Sequence, residues 1–162
     1  MILSARPAFH RSIRKAQKEH PKFYFFDIGV KRQLDRTIES KLIPTTVAYG
    51  EAFEHFVILE IYRIAHYFQK NWTFSYFQSK EGKKIDLIIS LDRCTEILIE
   101  IKSTTKVNVD DYNNILQLSL DFNAKKTYLL SLDKVAKKIQ HLECLYWEDG
   151  LNQIFAEHNI EI

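Results

Sequence analysis

Two very apolar segments, joined by a short connection, constrain the fold of this chain more than any other feature. Residues 84–91 (KIDLIISL) and 95–102 (TEILIEIK) are rich in isoleucine and leucine, which predicts two buried strands. Because only Asp92-Arg93-Cys94 separates them, we expect an antiparallel hairpin. Each segment also carries charge inside its apolar run, and buried strands rarely contain Asp, Glu or Lys without a partner. The hairpin therefore indicates a charged site within a protein core.

The length of the connection predicts which charged residues face each other. A three-residue loop places Leu91 opposite Thr95, and Asp86 then falls opposite Glu100. Directly opposed side chains have Cβ atoms about 4.5–5.5 Å apart, so two carboxylates at these positions repel each other. A divalent cation between them would remove that cost, and hard oxygen ligands suit Mg²⁺ or Mn²⁺. We therefore expect Asp86 and Glu100 to be metal ligands.

Neighbouring groups on the second strand complete this predicted site. Lys102 lies on the same face as Glu100, because side chains alternate along a strand. There it is expected to orient a water molecule or to steady a charged phosphorane, and the Ile101 carbonyl would add a third oxygen ligand. A purely structural ion pair of Lys102 with Asp86 or Glu100 is the open alternative. Alternation also places three apolar residues on the face opposite Asp86: Ile85, Leu87 and Ile89.

The order of the remaining segments predicts an α/β fold. Spacings of three and four mark a helix from Val47 to about Gln69. Strands are expected at 72–78, 84–91, 95–102 and 126–132, with a helix over 109–122 capped by Asn108, a last strand at 141–147 and a helix near 148–157. This gives a central mixed four-stranded sheet flanked by helices. Residues 1–45 form an expected N-terminal extension (helix 8–19, buried strand 22–27, helix 28–38 capped by Asp27), and residues 46–162 the main domain.

The Asp86…Glu100-Ile101-Lys102 pattern, set in the order α-β-β-β-α-β, resembles the core of the PD-(D/E)XK nuclease-like superfamily. The resemblance implies a metal-dependent nuclease with Asp86, Glu100 and Lys102 as catalytic residues. In related nucleases the first helix often supplies a glutamate within a G…FE pattern. Gly50-Glu51-Ala52-Phe53-Glu54 matches it, so Glu54 would be an outer metal-binding acid. Gln117, on the second helix, matches a position where some members carry Gln or Lys.

A narrower resemblance extends over roughly residues 9–157 and rests on four segments: KFYFFDIGV, YGEAFEHFVILEI, EGKKIDLII and LIEIKS. Together they are similar to the C-terminal domain of unknown function of many prokaryotic AAA+ ATPases. In such proteins an ATPase module and a winged helix come first, so we expect an isolated C-terminal part or a truncated relative, with an ATPase module as a partner. Lys84 departs from the family pattern, which usually has an acid there.

Charge and glycine usage restrict the ligands of this chain. Its net charge of +2 is low for a dedicated duplex-DNA binder, so contact with nucleic acid must depend on local charge. Lysines that flank the predicted site are the candidates for phosphate contacts, which position a backbone without reading its sequence: Lys80, Lys83, Lys84 and Lys106. The four glycines form no phosphate-binding loop, so the chain should not bind ATP by that device.

The cellular setting follows from cysteines and hydropathy. Cys94 and Cys144 are isolated, which favours a reducing compartment and no disulfide framework. The first residues lack the apolar region of a secretory signal, and no apolar run is long enough to span a membrane. We therefore expect a cytoplasmic protein without membrane contact.

Three functions remain open at this point. The first is a Mg²⁺-dependent or Mn²⁺-dependent nuclease, with DNA as the expected substrate. The second is a catalytically weak or inactive module that binds nucleic acid or protein and regulates an ATPase. The third is an interaction domain of a defence or toxin–antitoxin system, for which small size is the sole argument.

Overall fold

A computed structural model describes residues 2–5, 21–79, 82–91, 96–122 and 124–157 of the chain. These residues form four α-helices: α1 (Ile28–Leu34), α2 (Val47–Tyr67), α3 (Val109–Leu118) and α4 (Trp147–Ala156). The strands are β1 (Ile2–Ala5), β2 (Lys22–Phe23), β3 (Thr73–Gln78), β4 (Lys84–Ser90), β5 (Glu96–Lys102), β6 (Ala124–Ser131), β7 (Lys137–Ile139) and β8 (Leu142–Tyr146). The expected basic helix 8–19 lies outside the described residues. No helix in the described ranges is long and apolar enough to cross a membrane.

The strands form one mixed sheet in the order β2-β1-β3-β4-β5-β6-β8-β7. Strands β3, β4 and β5 are antiparallel neighbours, whereas β6 is parallel to β5 and β8 is parallel to β6. A parallel pair needs a crossover connection, and α3 lies in the one between β5 and β6. The α/β prediction is confirmed, with a sheet wider than the four expected strands. The segment expected as an N-terminal extension supplies β1 and β2 to this sheet.

Two hydrophobic cores lie on opposite faces of the sheet. Helices α2 and α4 cover one face, where their apolar side chains meet those of the central strands: Val57, Ile61, Ile154, Phe155, Leu87, Ile89, Ile97, Ile99 and Ile101. Helix α3 covers the other face through Ile115 and Leu118, which pack with Ile85, Ile88, Leu98 and Leu129. Burial on both faces explains why the central strands are almost continuously apolar.

The helix starts follow side-chain capping. Asp27 Oδ1 accepts a hydrogen bond from the Val30 backbone NH, as predicted, and Asn108 forms a capping box with Asp111 at the start of α3. The predicted buried strand 22–27 is wrong in most of its length. Strand β2 ends at Phe23, and Phe25 and Phe26 are 40% and 69% exposed, because only two residues of this segment pair with β1.

The β4–β5 register is the one that the loop length predicts. Leu87 pairs with Ile99, and the ladder continues to Ser90 and Glu96. At its other end the ladder stops before Asp86 and Glu100, so the predicted direct pairing of these two residues is not part of it. The predicted common face of Ile85, Leu87 and Ile89 is wrong at its first member. Ile85 joins Ile88 in the core under α3, whereas Leu87 and Ile89 face α2. A register irregularity between β3 and β4 breaks the alternation at Asp86, as a β-bulge does.

Candidate functional site

The Asp86 carboxylate lies at the end of the ladder between β4 and β5 and is fully buried. Its Oδ2 accepts a hydrogen bond from the Ile101 backbone NH at 2.9 Å, and its Oδ1 lies 2.8 Å from the Lys84 ammonium. Ile101 stands between Glu100 and Lys102, so the predicted approach of the acid on β4 to the E-x-K segment is present. The Ile101 group that contacts Asp86 is its NH, and not the carbonyl expected as a metal ligand.

The Glu100 carboxylate is 3% exposed, and only one of its two oxygens has a partner. Its Oε1 lies 2.8 Å from Lys102 Nζ, which is one of the ion pairs foreseen as a structural alternative. Its Oε2 is buried and has no hydrogen-bond partner among the described residues. Burial, followed by the negative charge of Asp86, raises the pKa of Glu100 to about 7. A buried oxygen without a donor is costly, unless a ligand approaches it.

Glu54 reaches the same site from helix α2. Its Oε1 accepts a hydrogen bond from the Tyr24 hydroxyl at 3.1 Å and lies 3.5 Å from Lys22 Nζ, and its Oε2 lies 3.5 Å from Lys84 Nζ. Burial alone would raise the pKa of Glu54, but the charges of Lys22 and Lys84 lower it below its ordinary value. The predicted grouping of Glu54 with Asp86 is therefore present, through the shared Lys84.

Lys84 is held in the site by electrostatic attraction to Asp86 and Glu54. Burial raises the pKa of Asp86, the charge of Glu54 adds to this, and Lys84 opposes both. In turn, burial would lower the pKa of Lys84, but Asp86 and Glu54 raise it well above its usual range. Burial and the charge of Glu54 likewise raise the pKa of the Tyr24 hydroxyl. These groups form one coupled network, which we call the carboxylate–lysine cluster: Lys22, Glu54, Lys84, Asp86, Glu100 and Lys102.

A cavity of about 480 Å³ adjoins this cluster, and Glu54 forms part of its wall. Lys22 and Tyr24 also line it, as does His55, whose ring nitrogen bonds the Phe25 carbonyl at 2.9 Å. Glu54 is thus shared by the buried cluster and a cavity of the size of a small-molecule site. This contact joins α2 to the chain that follows β2, so His55 has a packing role there.

Two residues that contact Glu54, Lys22 and Tyr24, are not predicted for the site from sequence. Tyr24 was expected to be a core residue, and it is buried, but its hydroxyl also binds Glu54. Lys22 lies 32 residues from Glu54 along the chain. No local motif could have indicated either contact, because β2 reaches the site through sheet pairing with β1.

The other predicted residues lie apart from the carboxylates or outside the described ranges. Gln117 is exposed, and its amide oxygen accepts a hydrogen bond from Lys83 Nζ at 3.0 Å, instead of one from the cluster. Lys106 is exposed in the loop after β5, where its backbone bonds the Thr104 hydroxyl. Lys80 lies outside the described residues. Contacts of Lys83 and Lys106 with phosphate groups stay a prediction.

Some observations favour a divalent cation at these residues, and others oppose it. The unpartnered Glu100 oxygen, beside a second buried carboxylate, is a suitable ligand set for a hard cation. However, in the described part of the chain no three His, Cys, Asp or Glu side chains converge in a metal-binding group. Lys84 and Lys102 lie on the carboxylate oxygens instead. The carboxylate oxygens are suitable ligands for the cation, but ammonium groups already occupy positions beside them.

Fold and site together define a mixed α/β domain with a buried carboxylate–lysine cluster at the junction of α2, β4 and β5. The family described as "Domain of unknown function (DUF4143)" matches residues 49–148, which include both β4 and β5. The chain belongs to this family. No curated protein and no solved structure matches the chain.

Proposed function

We propose that this domain is a nuclease-like phosphodiesterase of the PD-(D/E)XK type that acts on nucleic acid with a Mg²⁺ or Mn²⁺ ion. The observation that carries the proposal is the buried Asp86–Glu100 pair on adjacent strands, with one Glu100 oxygen lacking a hydrogen-bond partner in the described ranges. The succession α2-β3-β4-β5-α3-β6 supports it, since it has the order α-β-β-β-α-β of that core.

Each residue of the cluster would have a separate task in the reaction. Asp86 and Glu100 would hold the cation, with Glu54 as an outer ligand. When bound, such an ion lowers the pKa of a water ligand and stabilises charge that develops on phosphate. Lys102 would hold the attacking water or a nonbridging phosphate oxygen from the end of β5, where its ammonium already lies 2.8 Å from Glu100. DNA is the substrate that we propose first, with Lys83 and Lys106 on its phosphates.

The test is cleavage of single-stranded and duplex DNA and of RNA by purified protein in Mg²⁺, Mn²⁺ or EDTA. Asp86→Asn keeps the size of the side chain and removes its charge, and Lys102→Met removes the ammonium. Both should reduce metal-dependent cleavage at least a hundredfold, in the range of losses for a group that stabilises transition-state charge. Lys126→Met is the matched control, because Lys126 is an ion-paired lysine of β6 bound to Glu143 at 3.0 Å. Equal cleavage by all four proteins would refute the proposal.

A second function is favoured by the ion pairing itself. Ammonium groups already lie on Asp86, Glu100 and Glu54, so the cluster can persist as a structural element without a metal. This favours a catalytically inactive module that regulates or positions an ATPase. Calorimetry with Mn²⁺ separates the two functions. Absence of millimolar or tighter binding, together with tight docking to an ATPase module, would select the regulatory module.

A further inference from the structure

When its three carboxyl groups are ionised, the carboxylate–lysine cluster is electrically neutral without any added ion. Its members are three carboxylates and three ammonium groups: Glu54, Asp86 and Glu100 with Lys22, Lys84 and Lys102. Asp86 and Glu100 are almost completely buried, where an unpaired charge is expensive. A divalent cation that entered this neutral cluster would add two unbalanced positive charges, and the withdrawal of an ammonium group would remove one of them.

Lys84 is the ammonium that lies between carboxylates of different elements. Its Nζ is 2.8 Å from Asp86 Oδ1 on β4 and 3.5 Å from Glu54 Oε2 on α2. It thus contacts both Asp86, which is proposed to hold the cation, and Glu54, which is proposed as the outer ligand. Lys22 and Lys102 each contact a single carboxylate of the cluster. Among the three ammonium groups of the cluster, Lys84 is therefore the one that contacts two of the acids proposed to hold the cation.

The Lys84 side chain has a path to solvent. It is 43% exposed, although both of its partners are largely buried, so its stem reaches the cluster from solvent. A lysine has several rotatable bonds, so its ammonium can return to water when a cation takes over its charge beside the two carboxylates. By contrast, the Asp86 carboxylate is fixed by the Ile101 NH and cannot turn away from the site.

We propose that the Lys84 ammonium, which lies between Asp86 and the outer acid Glu54, competes with a divalent ion for the Asp86 carboxylate, so that this residue sets the metal affinity of the domain. The proposal rests on the proposed function for the identity of the ion, but not on catalysis. Metal entry would require Lys84 to withdraw into solvent, where a phosphate could receive it. The same charge that stabilises the metal-free cluster would thereby keep the metal site weak.

The test measures Mn²⁺ binding without nucleic acid, by calorimetry and by the electron paramagnetic resonance signal of free Mn²⁺. Lys84→Gln should bind Mn²⁺ at least tenfold more tightly than the wild type. Lys83→Gln is the control, since it makes the same charge change at the next residue, whose ammonium bonds Gln117. Lys84→Gln combined with Asp86→Asn should lose the gain, which assigns it to this site. Equal affinity of wild type, Lys84→Gln and Lys83→Gln would overturn the proposal.

A second measurement uses the wild-type protein and does not depend on the folding of a variant. Labelling with an amine-reactive reagent, read by mass spectrometry, should show faster modification of Lys84 when millimolar Mn²⁺ is added, and an unchanged rate for Lys83. An unchanged Lys84 rate would count against displacement. Since neither readout requires cleavage, an inactive domain with the expected Lys84 effects would refute only the nuclease proposal. Cleavage without any Lys84 effect would refute only the competition.

Discussion

The substitution Glu100→Gln should stabilise the metal-free protein at alkaline pH and leave its stability almost unchanged at acid pH. Burial and the charge of Asp86 raise the pKa of Glu100 to about 7, from the ordinary value of 4.5. The folded state therefore binds a proton that the unfolded state has lost at neutral pH. Hence the free energy of unfolding is highest below pH 4.5 for this group and falls as the pH rises through about 7.

The size of the effect follows from the two pKa values. The interval from 4.5 to about 7 corresponds to about 3 kcal/mol, at roughly 1.4 kcal/mol for each pH unit. The pKa of about 7 already includes the ion pair with Lys102, so the Gln variant avoids the whole of this penalty. We expect a net gain of about 3 kcal/mol at pH 8, which raises the Tm by roughly 6–12 °C for a domain of this size.

Urea denaturation followed by far-UV circular dichroism in EDTA, at several pH values between about 4 and 8, provides the measurement. Glu143→Gln is the matched control, because hydrogen bonds from Gln153 and Lys126 overcome its burial and lower the pKa of Glu143. The ionised Glu143 carboxylate therefore stabilises the folded protein at pH values above its pKa in the unfolded state. This contribution is lost as the pH falls through the lower pKa that Glu143 has in the folded state. The control should therefore destabilise at pH 8. A Glu100→Gln variant that is less stable than the wild type at pH 8 would refute the reasoning.

Two further substitutions test the packing of α4 and the capping of α3. Gly150→Ala places a methyl carbon 2.2 Å from Leu130 Cδ2, so α4 must shift or Leu130 must repack. The overpacking cost of about 1–3 kcal/mol exceeds the helix-propensity gain of roughly 1 kcal/mol, and a Tm above that of the wild type would contradict this. Asn108→Ala removes the side-chain oxygen that accepts from the Asp110 NH at 2.9 Å and should cost about 1 kcal/mol in urea denaturation. Asn108→Ser should retain most of that stability, and equal losses in both variants would exclude capping as the cause.

The sequence predicts the central elements well because their patterns are local. The apolar alternation and short loop of the hairpin fix a register that pairs Leu87 with Ile99. Asn108 caps α3 because a side-chain oxygen at that position can reach the first backbone NH groups of the helix. Strands β7 and β8 show the limit of this approach. Strand β8 follows from its apolar pattern, whereas the three-residue β7 has no such pattern and depends on pairing with β8.

The candidate site was predicted in part. Asp86, Glu100 and Lys102 meet because they lie on neighbouring strands whose register is set by a short loop. Glu54 joins them because α2 packs on the face of the sheet formed by Leu87 and Ile99. Gln117 was expected from the resemblance to the nuclease-like core, but it bonds Lys83. Its side chain points to solvent because Ile115 and Leu118 occupy the buried face of α3.

Residue order alone therefore determined which charges are embedded in apolar strands, and that these charges need partners. The sequence alone did not determine which residues pair with these charges. Tertiary packing decided that Lys22, Tyr24 and Lys84 contact Glu54 and Asp86, and that one oxygen of Glu100 stays without a hydrogen bond from the described residues. The physical reason is the distance along the chain over which each effect acts. Alternation and capping act over a few residues, whereas the charge balance of a buried cluster depends on every side chain that the fold brings within a few ångströms.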